Sequence, residues 1–153
     1  MVYSRLAVVL IIVAFTLPAC KSRRPKTYTS ACAAGIIYRP VSFSHLIDSA
    51  KFYDKQYVEV SGTYLEGKHI SALVNDSTFT DHGNSHALWI NFTQDCPLYL
   101  EGKNTGLFEA EDGEYNQINN KLVTIRGRVE IEKKGHLNAY RATINQVSYL
   151  RLN

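Results

Sequence analysis

The sequence predicts a mainly β fold, a small five-stranded barrel, and three observations carry that prediction. Residues 53–64 (YDKQYVEVSGTY) align with residues 118–129 (INNKLVTIRGRV), each an apolar residue, a polar turn and a strand alternating at period two, with Gly62 and Gly127 in equivalent places. Three further segments, 69–74, 87–92 and 140–150, alternate in the manner of a half-buried sheet. A long connection, residues 93–120, follows the third of the five strands.

Residues 1–20 read as an export signal. Arg5 supplies a positive start, residues 6–17 form an unbroken apolar run, and Leu17-Pro18-Ala19-Cys20 closes it with a small residue before a cysteine. A helical span needs about 20 apolar residues, so this shorter run fits cleavage better than a permanent span. The ending resembles the lipobox of bacterial lipoproteins, with Pro18 where the pattern usually has Ala, Ser, Thr, Val or Ile. That resemblance implies removal of residues 1–19 and acylation of Cys20 with fatty chains such as palmitate, which anchor the mature chain in a bilayer. The alternatives are ordinary cleavage after Ala19, for which Leu17 is a poor upstream residue, and an uncleaved anchor.

Residues 20–40 read as the lipidated cysteine and a flexible tether, because Lys21, Arg23, Arg24, Pro25 and Lys26 are followed by small and polar residues without a period. The segment lacks an acidic pair after Cys20, which by analogy with lipoprotein sorting places the anchor in a cell or outer membrane on the periplasmic side. Of 17 Lys and Arg, Arg5 goes with the signal and five lie in the tether, so residues 41–153 hold 11 against all 14 Asp and Glu and carry −3. The positive charge of the whole chain therefore describes its tail. A nucleic-acid footprint is absent from the globular part.

Residues 41–153 contain no Pro/Gly/Ser-rich break and form one domain. Ser42 or Ser44 caps a helix in which Leu46, Ile47, Ala50 and Tyr53 share one face. Gly62 and Gly127 mark bulges or tight bends at barrel corners. In the second and third strands the expected inward residues are Ile70, Ala72 and Val74, then Leu88, Ile90 and Phe92, and in the fifth Tyr140, Ala142 and Ile144. Turns fall at residues 66–68 and 133–138. Leu107, Phe108, Tyr115 and Ile118 suggest a short helical stripe in the connection, opposed by Gly113.

This order resembles an OB-fold, a five-stranded Greek-key barrel, and specifically the tRNA-anticodon-binding-like domain of small bacterial lipoproteins, over residues 41–153. The resemblance rests on the strand pattern and paired glycines and carries no catalytic residues. OB-folds that bind single strands use aromatic platforms in a positive groove. The outward set here includes Leu73, Trp89 and Asn91 without a basic neighbour, which argues against nucleic acid and makes these three the expected contact face.

With Cys20 acylated, Cys32 and Cys96 remain as an even pair that an oxidising compartment permits to bridge, two unpaired thiols being the alternative. Asp81, His82 and His86 form the densest gathering of metal-ligand types, but Gly83 and Asn84 read more simply as a polar turn, and no cofactor is expected. His45, His69 and His136 lie apart in sequence, and the acidic run 109–114 lacks EF-hand spacing. Nucleophile elbow, phosphate-binding loop and Cys-x-x-Cys pair do not occur in the sequence. The expectation is a membrane-anchored, non-catalytic binding or assembly module of the cell envelope with an envelope partner. An envelope enzyme or metal-binding protein using the Asp81/His82/His86 loop is the alternative.

Overall fold

Side chains that alternate between two environments hold a chain extended, and most of the barrel follows from that. The computed structural model describes residues 25–75, 83–111, 113–115 and 117–153. Among them lie β1 (Thr27–Thr29), β2 (Arg39–Pro40), α1 (Phe43–Asp48), β3 (Tyr57–Gly67), β4 (Ile70–Val74), β5 (Leu88–Ile90), β6 (Tyr99–Leu100), β7 (Ala110–Glu111), β8 (Glu114–Tyr115), β9 (Lys121–Glu130) and β10 (Ala142–Leu152), with short 3₁₀ turns between.

The two halves of the internal repeat, β3 and β9, lie side by side and antiparallel, from Tyr57 opposite Arg128 to Tyr64 opposite Lys121. β4 pairs with β3 and β5, β10 pairs with β9, and a parallel ladder between β5 and β10 closes the ring. The result is a closed, five-stranded, OB-like Greek-key barrel of mixed strand direction, with one short helix. Its core is Val58, Val60, Leu73, Leu88, Ile90, Val123, Ile125, Val129, Ile144 and Leu150, all buried. Burying each such side chain stabilises by about 1.5–3 kcal/mol.

Ser42 caps α1 by accepting a hydrogen bond from the His45 N–H at 3.4 Å. Leu46, Ile47, Ala50 and Tyr53 enter the core from this side, where Lys55 N–H donates to Val129 O at the far end of β9. Ile118 enters at the near end of β9, its carbonyl accepting from Lys121 N–H.

Four expectations need correction. Residues 27–40 are not tether: Tyr28 is fully buried, β1 pairs with β10 and β6, and β2 pairs with β3. Strands of three and two residues are too short to show a period. The domain therefore starts at Thr27, and residues 27–153 carry 12 Lys and Arg against 14 Asp and Glu, a net −2. In β4 the barrel interior takes Leu73, opposite Leu88, while Ala72 and Val74 join Ala87 and Tyr140 in a second buried cluster outside the barrel wall. Ile70 is exposed. A strand buried on both sides gives alternation no winning face.

The helical stripe is absent from the described part of the connection, which forms β6 and the β7–β8 hairpin around Gly113 at φ 84°. Finally, Gly62 lies in continuous register and marks close strand approach, a Cβ there falling 2.7 Å from Val74 O, whereas at Gly127, where a Cβ would fall 2.5 Å from Ile144 Cγ2, the expected bulge is present in the facing strand. The bulge lies across from Gly127, in β10 between Asn145 and Tyr149, with Gln146 at φ 49°.

Candidate functional site

The connection that the sequence assigns to a helix builds a cleft instead. β6 runs back along residues 105–107, with hydrogen bonds from Leu100 N–H to Thr105 O at 2.9 Å and from Leu107 N–H to Leu98 O at 2.8 Å. The Glu109 carboxylate closes the following turn by accepting from Gly106 N–H at 2.8 Å. A disulfide between Cys32 and Cys96, with Cα atoms 5.3 Å apart, ties this region to the 3₁₀ turn after β1. Between these supports opens a cleft of about 230 Å³ lined chiefly by Phe92, Pro97, Leu98, Tyr99, Leu107 and Phe108.

Its rim is apolar and wet. Tyr99 is 43% exposed and Phe108 55%, whereas Leu98 and Leu107 are buried in the floor. An edge-to-face series connects rim to barrel, Phe108 to Phe92 at 5.3 Å and Phe92 to Tyr64 at 5.8 Å. Ser71 Oγ donates to Ile90 O at 2.7 Å, which leaves Ser71 Oγ to accept from the Tyr64 hydroxyl at 3.1 Å. Burial pushes the Tyr64 phenol above its ordinary pKa, the Ser71 hydrogen bond opposing in part. The platform beneath the cleft is thus a neutral phenol, and the cleft wall is mainly aromatic and apolar, with Glu109 also lining it.

The expected contact face does not assemble. Leu73 is fully buried inside the barrel, while Trp89 faces outward between Ala72 and Thr143. The β9–β10 turn then roofs Trp89: Gly135, at φ 65°, lies so close that a Cβ would fall 2.5 Å from Trp89 Cγ, and the Tyr140 ring lies 5.1 Å away. Asn91 donates through Nδ2 to Asn145 Oδ1 at 3.1 Å. The two arginines of β9 face carboxylates, Arg126 Nε 2.6 Å from Glu59 and Arg128 3.7 Å from Glu130. Arg126 also lies 4.3 Å from the Tyr149 ring centre.

Asp81 and His82 lie outside the described residues, as does Cys20. His86 is half-buried, its Nδ1 3.1 Å from Ser85 Oγ. Among the described residues no three His, Cys, Asp or Glu gather as a metal site. His69 and His136, distant in sequence, stack at 4.6 Å with planes 11° apart and link the β3–β4 and β9–β10 turns. Sequence reading missed Tyr99 and the cleft. The available signal was two short apolar runs, 97–100 and 107–108, on either side of Gly102 and Gly106.

Fold and site together define a small OB-like barrel with a disulfide-supported, aromatic-rimmed cleft. Comparisons with family models, curated proteins and solved structures find no match to this chain. Among the described residues no helix is long and apolar enough to cross a membrane.

Proposed function

We propose that the protein is a lipid-anchored cell-envelope lipoprotein whose barrel is a non-catalytic module that binds a protein partner through the Phe92/Tyr99/Phe108 cleft. The observation that carries the reading is the open apolar cleft with Tyr99 and Phe108 at its rim. Its volume of about 230 Å³ lies below the range of small-molecule sites and suits one or two apolar side chains of a partner. The lipobox-like residues 17–20 support the anchor, and the disulfide suits an oxidising compartment.

A photo-crosslinking amino acid at position 99 or 108, with position 52 as an exposed apolar control, tests this in intact cells. Adducts to one partner at 99 and 108, absent at 52, are expected. Equal yields at all three positions would remove the cleft as the contact surface. Zn²⁺ titration of the purified full chain is expected to give no binding heat. Heat that disappears in His86→Ala would replace this reading with a metal-binding one.

A further inference from the structure

The chain enters the barrel at one corner. Leu152 N–H donates to Lys26 O at 2.9 Å, Glu101 N–H to Thr27 O at 2.9 Å and Asn153 N–H to Leu122 O at 3.0 Å. The start of β1, the ends of β6 and β10 and the start of β9 therefore converge where the chain enters the domain. Lys26, Lys121, Leu122, Arg151 and Asn153 are exposed around that entry, and Leu122 keeps 53% of its surface. Leu122 and Arg151 lie on one face of the sheet, since Arg151 stands opposite Thr124, two residues beyond Leu122. Glu101 is the acidic residue at this corner, with Glu66 bordering it.

Charge and chain length point the same way. Residues 27–153 carry −2 overall, while Lys26, Lys121 and Arg151 gather at the entry and Lys21, Arg23 and Arg24 precede it in sequence. In a domain that is acidic overall, a corner that gathers Lys26, Lys121 and Arg151 beside an exposed Leu122 is suited to an anionic bilayer. The tether is short: six residues from Cys20 to Lys26 reach at most about 20 Å. We infer that the Lys26/Lys121/Leu122/Arg151 corner docks on anionic phospholipid headgroups, with Leu122 entering the interface, so that the barrel is held in one orientation on its membrane. This rests on the anchored-module reading.

The test uses the full acylated chain in phosphatidylglycerol-containing vesicles, carrying Leu122→Cys or, at the opposite end of β9, Phe52→Cys, labelled with an environment-sensitive fluorophore. Label at 122 is expected to be shielded from an aqueous quencher and label at 52 to remain accessible. Lys121→Gln and Arg151→Gln, each removing one charge, are each expected to lower the docked-to-undocked ratio about fivefold. High salt and purely zwitterionic vesicles weaken docking in the same direction. Mass spectrometry of Cys20 separates the two failures. An acylated, vesicle-bound chain whose labels quench equally would overturn the docked orientation alone, whereas a chain without acyl mass would overturn the anchor and the orientation with it.

Discussion

Breaking the Cys32–Cys96 bridge tests how the cleft is supported. The bridge spans 64 residues of sequence and joins the turn after β1 to the cleft wall. In the chain-entropy account a loop of that length, when opened, gives the unfolded chain freedom equivalent to about 4 kcal/mol at 25 °C. Domains of this size are stable by about 5–15 kcal/mol, so the loss is a large share of the whole. With a urea dependence of about 2 kcal/mol per molar, reduction is expected to move the unfolding midpoint down by about 2 M. The assay is urea unfolding followed by Trp89 emission, with and without reductant, alongside a Cys32→Ser/Cys96→Ser variant. Reductant should not move the midpoint of the double variant. A wild-type midpoint indifferent to reductant, or two free thiols in the unreduced denatured chain, would refute the reasoning.

Three other outcomes follow from the same packing. Leu73→Ala removes a fully buried side chain and is expected to cost about 3 kcal/mol, whereas Ile70→Ala, on an exposed position of the same strand, should change stability by under about 0.5 kcal/mol; equal effects would reverse the face assignment. Gly135→Ala places a Cβ against Trp89 at φ 65° and ψ −154°, a conformation that costs other residues about 1–3 kcal/mol, and should shift Trp89 emission to the red as the roof lifts. Unchanged emission would mean that the roof is not closed in solution. Tyr64 and Tyr140 are both pushed up by burial, so each keeps its proton in the folded state when its unfolded counterpart has lost it. Their contribution is complete below the ordinary tyrosine pKa of about 10 and is lost as pH rises from there through the raised values. Unfolding free energy should therefore fall on the alkaline side, less steeply in Tyr64→Phe, and a slope identical to wild type would remove Tyr64 as its source.

Where apolar and polar residues alternate over a long strand with one wet face, the sequence is readable. β3 and β9 show this, and their pairing follows from the repeat containing Gly62 and Gly127. β5 shows it too, because Leu88 and Ile90 leave Trp89 outside. β4 does not, since Ala72, Leu73 and Val74 are all buried and a second cluster covers the outer wall. The cleft is harder still. Phe92 reads as the next inward residue of a strand and Leu107 and Phe108 as one side of a helix, and only the folded connection brings the three together with Tyr99. The roof over Trp89 is equally invisible locally, as it depends on the fit between Gly135 and a side chain 46 positions earlier in the sequence.

Anchor entry and cleft share one piece of architecture, and this constrains how the proposed module works. β1 pairs with β6, so that Thr29 stands opposite Tyr99 at the cleft rim, three residues and about 10 Å along the strand from Lys26. The disulfide locks the turn after β1 to Cys96 in the cleft wall. Whatever fixes the entry corner on a bilayer therefore also fixes the height and direction of the cleft. On the proposed docking, a partner that reaches Tyr99 and Phe108 would approach close to the headgroups, and its binding should weaken when the corner is released by Lys121→Glu even though residue 121 does not line the cleft. Equal partner crosslinking at position 108 in the presence and absence of that substitution would show that the cleft works independently of the membrane.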